Sequence, residues 1–307
     1  MALAAASALD APHHVDRALR TARATMRAFA DIIDRSRSAF GDPWTAEFGA
    51  LVGALFPEDA ALEAALQGYS RFVRDSMRLQ AAFERTGRYQ SSSYAEAAAR
   101  VYHNEGYMMS QYLPGLLLSH YLWPHHYRQL LFFDAAFVRQ LRDTGVARFA
   151  EVGVGTGIYS RRILGALPGA TGVGYDISPS AQRFATRHLD ACGVGHRYAL
   201  ELRDVLAHPP AERFPAVVCV EVLEHLEDPV AFLAGVRQLL APGGTAFITA
   251  AVNADHADHI YLYRSAAEVE AHVRAAGFVV EQGFQATAYA PQQAHQPIPV
   301  AAAFIAR

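Results

Sequence analysis

The chain contains no lysine: all 27 of its basic residues are arginine. A Schiff-base lysine and a phosphate-cradling Walker lysine are therefore excluded, and arginine is too basic to accept a substrate proton. Cysteine is nearly absent as well. Cys192 and Cys219 stand alone in apolar surroundings, so both are expected in the core, without a disulfide framework or a cysteine zinc site. Positive charge is not in surplus. A formal charge of −3 offers no footprint for a phosphate backbone, and nucleic acid is not an expected partner. No apolar run approaches the roughly 18 to 20 residues of a membrane-spanning helix. The opening "MALAAASALDAPHH" also lacks a basic start followed by a sustained apolar stretch. These absences predict a cytoplasmic protein with no membrane partner, and no feature specifies an oligomeric state.

What is present divides the chain in two. From about residue 14 to residue 144, apolar residues recur three and four apart in "VDRALRTARATMRAFADII", "AALEAALQGYSRFVRDSMRLQAAF" and "YRQLLFFDAAFVRQLRDTG". That spacing predicts helices, with breaks at "FGDPW", "TGRYQSSS", Pro114 and Pro124. After Gly145, short β-branched runs alternate with amphipathic stretches, which predicts a parallel sheet with helices on both faces. The runs are "ARFAEVG", "TGVGYD", "RYALELRD", "AVVCVEV", "GTAFITAAV", "FVVEQGF" and "PVAAAFIA", seven strands in all. Ser178 before Pro179 has the character of an N-cap and first helical residue, and Gly277 marks a helix stop. The expected organisation is an all-helical substrate or lid domain over residues 1–144 and an α/β domain over residues 145–307.

Between the first predicted strand and helix of the sheet, "FAEVGVGTGIYSRRIL" places Gly153, Gly155 and Gly157. Glycines there let the backbone turn tightly and approach a ligand at a helix N-terminus. The second strand ends in Asp176, positioned to accept hydrogen bonds from ribose hydroxyls. The third ends in Asp204, where an acceptor could meet an adenine amino group. A nucleoside fits this set. Glu151, just before the loop, would repel a pyrophosphate and suit a cationic cofactor, and the glycine spacing differs from that of nicotinamide dinucleotide sheets.

With these motifs in order, the second half resembles the class I S-adenosylmethionine-dependent methyltransferases. "EVGVGTG" is similar to their first motif, "GYDIS" to their ribose-binding acid, "RDV" to their adenine contact and "LLAPGGTAFIT" to the turn leading into their fifth strand. The resemblance implies a Rossmann-like α/β fold of seven strands with the last reversed, and S-adenosylmethionine as cofactor. Its contacts would be Glu151 and Gly153 near the methionine end, Gly155, Gly157, Asp176 and Ile177, then Asp204, Val205 and Glu221.

The fourth predicted strand ends in "CVEVLEHLEDP", which places Glu221, Glu224 and His225 outside its carboxyl end, where open α/β sheets bind ligands. Carboxylates and imidazoles are costly to bury unless something pairs with them. "ExxEH" is similar to the metal motif of ubiquinone-pathway O-methyltransferases and of small-RNA 3′-terminal 2′-O-methyltransferases. The RNA enzymes add a histidine beyond the fifth strand. "NADHADHIYLYRS" puts His259 at that position, with His256 in reserve. The resemblance implies that Glu221, Glu224, His225 and His259 hold Mg²⁺, Mn²⁺, Zn²⁺ or Fe²⁺. Relatives of the motif also occur in methyltransferases that bind no metal, where His225 would be a general base or an ordinary hydrogen-bonded residue. Glu224, His225 and His259 are the catalytic candidates, because without lysine a metal or a histidine must activate the acceptor.

The helical half contributes "YHNEGYMMSQYLPGLLLSHYLWPHHYRQLLFF", dense in tyrosine and histidine. Met108, Leu117 and Phe132 are expected in the core, whereas Tyr107, Tyr112, His120, His125 and His126 are candidates to line a pocket. The predicted function is metal-assisted methyl transfer to a small oxygen-bearing molecule, with O-methylation of vicinal oxygens in specialised metabolism favoured. C-methylation of an α-keto acid through a metal-bound enolate and 2′-O-methylation of RNA ribose are the alternatives, and the acidic balance counts against RNA.

Overall fold

The apolar stripes of the first half become the buried faces of helices. In the computed structural model, which describes residues 2–293 and 296–307, α1 (Ala2–Thr25), α2 (Ile32–Leu55) and α3 (Asp59–Thr86) come first. α3 buries Leu62, Leu66, Tyr69, Val73 and Phe83, a stripe at three- and four-residue spacing. Gly41, with φ of 70°, kinks α2 within "FGDPW". α4 (Tyr94–Arg100) follows the loop at "TGRYQSSS".

α5 (Glu105–Tyr107), a π-helical turn (Met108–Tyr112) and α6 (Leu113–Leu122) form one continuous run. The break expected at Pro114 therefore does not occur. Proline has no amide to give the carbonyl four residues back, and the wider turn absorbs the gap. That carbonyl, of Ser110, accepts from Arg71 at 3.1 Å instead. α3 can approach this turn because residue 68 is glycine: a Cβ there would sit 2.4 Å from the Ser110 oxygen. Pro124 does start a new helix, α7 (Pro124–Phe132), which continues through a second π turn (Phe133–Val138) into α8 (Arg139–Asp143).

The second half forms β1 (Arg148–Val152), α9 (Ile158–Ala166), β2 (Thr171–Asp176), α10 (Pro179–Ala191), β3 (Tyr198–Leu202) and β4 (Phe214–Cys219). It continues with α11 (Pro229–Gln238), β5 (Leu240–Val252), α12 (Ala266–Ala275), β6 (Val280–Thr287) and β7 (Val300–Ala306). The strand order is β3-β2-β1-β4-β5-β7-β6. β7 lies antiparallel between β5 and β6, and the other pairings are parallel. The reversed final strand agrees with expectation. Ser178 caps α10 through the Ala181 amide at 3.2 Å, and Gly277, with φ of 90°, follows α12.

Two strands end earlier than their apolar runs suggest. β4 stops at Cys219 and not Val222, because Glu221 turns left-handed (φ 50°) into a single 3-10 turn at Leu223–His225. β3 stops at Leu202, two residues before Asp204.

One apolar core runs without interruption from the helices into the sheet, joining Trp44, Phe48, Tyr121 and Phe137 to Phe149, Val218, Phe247 and Ile305. Leu117 and Met108 belong to it, while half-buried Phe132 stacks on Phe284 at 4.9 Å. Arg162 of α9 adds a buried ionic tie, reaching Glu47 of α2 at 2.9 Å and Asp134 of the second π turn at 2.6 Å. The opposite face of the sheet is covered by α11 and α12 through Phe232, Leu233 and Val269. Cys219 is buried and Cys192 partly so. Among the described residues, no helix is long and apolar enough to cross a membrane.

Candidate active site

β1 and β4 are neighbours whose connections leave toward opposite edges of the sheet, and ligands bind at such a switch point. A cavity of about 870 Å³ lies there, floored by the strand ends and roofed by the helical half. Along the floor, Gly153 (φ 74°) passes so close to the β4 turn that a Cβ would meet Val222 Cγ2 at 2.5 Å. Gly157 (φ 74°) starts α9 and packs on Ala185, outside the cavity lining. The Asp176 carboxylate braces the loop: one oxygen accepts from the Gly155 amide at 3.0 Å and the other from the Ser178 amide at 2.8 Å. Burial still raises its pKa. Ile177, beside it, is 49% exposed and lines the cavity.

Glu151 is 1% exposed and also lines the cavity. Its Oε2 accepts from the Ser160 hydroxyl and, at 3.1 Å, from the Tyr198 hydroxyl. Desolvation outweighs both bonds and pushes the carboxyl up to about 7. A cationic ligand alongside would restore its charge. Asp204 and Val205 do not line the cavity. With β3 already ended, the exposed Asp204 carboxylate caps the next turn, accepting from the amides of Leu206 (2.8 Å) and Ala207 (3.1 Å), and Val205 is buried in the core.

At the end of β4, the Thr249 hydroxyl of β5 accepts from the Glu221 amide at 2.9 Å and donates to Glu221 Oε1 at 2.6 Å. One side chain thus holds both the strained backbone and the carboxylate of Glu221. The turn brings Glu224, His225 and His259 together, with ligand atoms within 4.8 Å of one another. Glu221 stands beside this set, near enough for its charge to act on Glu224. Burial raises the pKa of both, and the charge of Glu221 raises that of Glu224 further.

The histidines are oriented from behind. His225 Nδ1 donates to the Asp258 carbonyl at 3.0 Å and His259 Nδ1 to the Ala254 carbonyl at 2.7 Å, which leaves both Nε2 lone pairs free. His259 Nε2 lies 3.9 Å from Glu224 Oε1, and burial holds His259 neutral. Glu224 is completely buried, and neither of its oxygens has a hydrogen-bond partner. Two imidazole lone pairs and an orphaned carboxylate form a donor set with no donor to satisfy it, which fits a divalent cation. The Glu224 carbonyl accepts from the amides of Ile260 (2.8 Å) and Tyr261 (2.9 Å), locking the turn to the loop that carries His259.

Of the aromatic candidates in the helical half, Tyr112, His120, His125 and His126 line the cavity and Tyr107 does not. His256 lines it too, its Nδ1 3.2 Å from the Ser76 hydroxyl, which itself donates to the Phe72 carbonyl at 2.9 Å.

Several supporting residues escape sequence inspection. Asp258 accepts from the hydroxyls of Tyr102 (3.1 Å) and Tyr112 (2.6 Å) and keeps a lowered pKa, despite burial, mainly through His225. Gln129 of α7 donates to the Tyr159 hydroxyl at 2.8 Å beside Glu221. Thr249 alone carried a signal, as a hydroxyl within the apolar run that closes β5 after Thr245.

Residues 150–246 match a family model described as a methyltransferase domain. A ubiquinone biosynthesis O-methyltransferase of Xanthomonas axonopodis pv. citri (strain 306) is 36% identical over 103 residues, 34% of this chain and 42% of that protein. One from Thiobacillus denitrificans (strain ATCC 25259 / T1) is 38% identical over 100 residues, 32% of this chain and 42% of that protein. The chain spans about two fifths of the length of these curated relatives. Among solved structures, human N-acetylserotonin methyltransferase in complex with S-adenosylmethionine aligns with a TM-score of 0.54 at 15% identity, covering 80% of this chain and 69% of that one. Mitomycin 7-O-methyltransferase aligns with a TM-score of 0.52 at 15% identity, covering 83% and 75%. At that identity the likeness establishes the fold. The glycine loop, the strand order and the match over residues 150–246 together identify a methyltransferase domain on the class I S-adenosylmethionine-dependent methyltransferase fold.

Proposed function

We propose that the protein moves the methyl group of S-adenosylmethionine to an oxygen of a small acceptor with two neighbouring oxygens, assisted by a divalent cation, in specialised metabolism. The observation that carries this is the buried, unpartnered Glu224 carboxylate facing two histidines whose Nδ1 atoms are already committed. A cation held by Glu224, His225 and His259 would supply the charge that lowers the pKa of an acceptor hydroxyl. The chain's own residues do the rest. Glu151 offers a carboxylate to a cationic donor, Asp176 braces the glycine loop and offers an acceptor at the ribose position, and Asp258 keeps His225 in one tautomer. The helical roof screens the site from water, which strengthens each of these interactions.

The test is transfer of labelled methyl from S-adenosylmethionine to a catechol, an α-hydroxy acid, an α-keto acid and an RNA oligonucleotide, with and without EDTA. The expected result is chelator-sensitive labelling of oxygen on a small acceptor. Undiminished transfer in EDTA would remove the metal from the mechanism, and transfer confined to RNA would replace the substrate class.

A further inference from the structure

We propose that the cavity contains a second recognition point at Asp255, which receives a protonated amine carried by the methyl acceptor. This rests on the methyltransferase function proposed above and adds a chemical feature of the acceptor to it.

Asp255 lies in the loop after β5, lines the cavity and is 2% exposed, yet neither carboxylate oxygen has a hydrogen-bond partner. The Gln90 amide lies near enough to lower the pKa of this carboxyl somewhat without forming a hydrogen bond of normal geometry, and the neighbouring side chains turn to other partners. Gln80 of α3 accepts from the Asp255 amide at 3.1 Å and donates to the Pro297 carbonyl at 3.1 Å, so both ends of its side chain are used. Arg100, whose charge reaches Asp255, donates to the Ser91 hydroxyl at 3.2 Å. The backbone of Asp255 is thus held firmly while its carboxylate is left to the cavity. A buried carboxylate without a partner costs stability, and desolvation pushes this one up to about 7. Such a group is expected where a ligand supplies the missing donor.

The lining decides the sign of that ligand. Among the described residues that line the cavity, Glu84, Glu151, Asp176, Glu221 and Asp255 face a single arginine, Arg35. The histidines do not offset this, since burial lowers the pKa of His120, His125 and His256 to about 4, 3 and 4. At the Asp255 end of the cavity an ammonium group would meet a charge-assisted partner and restore the charge of that carboxylate. Asp255 immediately precedes His256, whose ring lies 4.8 Å from that of His259. The loop that supplies a metal-facing imidazole therefore also presents the amine-binding carboxylate.

Calorimetry tests this with wild-type, metal-replete protein saturated with S-adenosylhomocysteine. Dopamine and 4-ethylcatechol serve as probes that share a ring and vicinal hydroxyls and differ in the ammonium group. Dopamine is expected to bind at least about tenfold more tightly, the effect of one charge-assisted hydrogen bond. Asp255→Asn should erase that preference while leaving the affinities for 4-ethylcatechol and S-adenosylhomocysteine unchanged. Asp255→Leu, free of ligand, should melt at a higher temperature than wild type, because it removes a charge that nothing in the chain satisfies. Equal binding of the two catechols, absence of binding by both, a preference that survives Asp255→Asn, or a lower melting temperature for Asp255→Leu would each overturn the assignment. Failure of wild type to bind S-adenosylhomocysteine would sink the methyltransferase function itself.

Discussion

Replacing Glu151 with glutamine removes a buried acid from the end of β1 without changing its shape, and the consequence for stability has a calculable pH dependence. The carboxyl is raised from 4.5 to about 7 by desolvation. At ~1.4 kcal/mol per pH unit, that interval of about 2.5 units makes the ionised form about 3 kcal/mol less favourable in the folded protein than in the unfolded chain. Between pH 4.5 and 7 the folded state retains a proton that the unfolded state has released, so the contribution of Glu151 to stability falls as pH rises. The loss begins near pH 4.5 and levels off above about 7. Urea unfolding of ligand-free, EDTA-treated wild type and Glu151→Gln should therefore give curves that diverge across this window, with the variant gaining about 3 kcal/mol relative to wild type by pH 8. Titrating groups that do not interact with Glu151 cancel in the difference. The variant also alters the bonds from Ser160 and Tyr198, but that offset does not vary with pH. A difference that stays flat from pH 4.5 to 8 would refute the claim that desolvation governs this carboxyl.

Three further substitutions separate backbone geometry from support of the candidate metal ligands. Gly153→Ala and Gly155→Ala both force a side chain onto left-handed backbone, but a Cβ at 153 lies 2.5 Å from Val222 whereas one at 155 finds nothing nearer than Leu116 at 3.9 Å. Denaturation should show a cost of about 1 to 2 kcal/mol for Gly155→Ala and roughly 1 to 3 kcal/mol more for Gly153→Ala; equal costs would count against the close approach of the loop and the β4 turn. Asp258→Asn keeps the backbone carbonyl that holds His225 Nδ1 but removes the carboxylate charge 3.5 Å from that nitrogen, and should lower affinity for added Mn²⁺ by roughly 10- to 100-fold in a paramagnetic titration. Unchanged affinity would show that the Asp258 carboxylate does not support that ligand.

Much of the sheet could be anticipated because its signals are local. β-branched runs, a glycine loop and strand-terminal acids specify a parallel α/β layer without knowledge of distant residues, and the strands formed where those runs lie. The errors arose where hydrophobic character and backbone conformation disagree. "AVVCVEV" is apolar through Val222, yet a left-handed residue stabilised by a threonine on another strand ends β4 at Cys219. Pro114 has the appearance of a helix breaker, but a π turn and an arginine from α3 accommodate it. The grouping of Glu224, His225 and His259 was accessible only through resemblance, since 34 residues separate the last two. Asp255 and Gln129 were inaccessible, because an orphaned oxygen is a property of surroundings assembled from both halves of the chain.

Hydrophobic continuity between helices and strands has a practical corollary for anyone dividing this protein. Trp44, Phe48 and Tyr121 cover Phe149 and Phe247 in a single interior, so cutting the gene near Gly145 would strip oil from both fragments and leave each with a wet, adhesive face. Loops bearing His256 and His259 would also lose the clamps from Ser76 and Gln80. The strand-end cavity and its helical roof are consequently inherited together, and exchanging the front half between relatives would disturb the loop that carries His256 and His259.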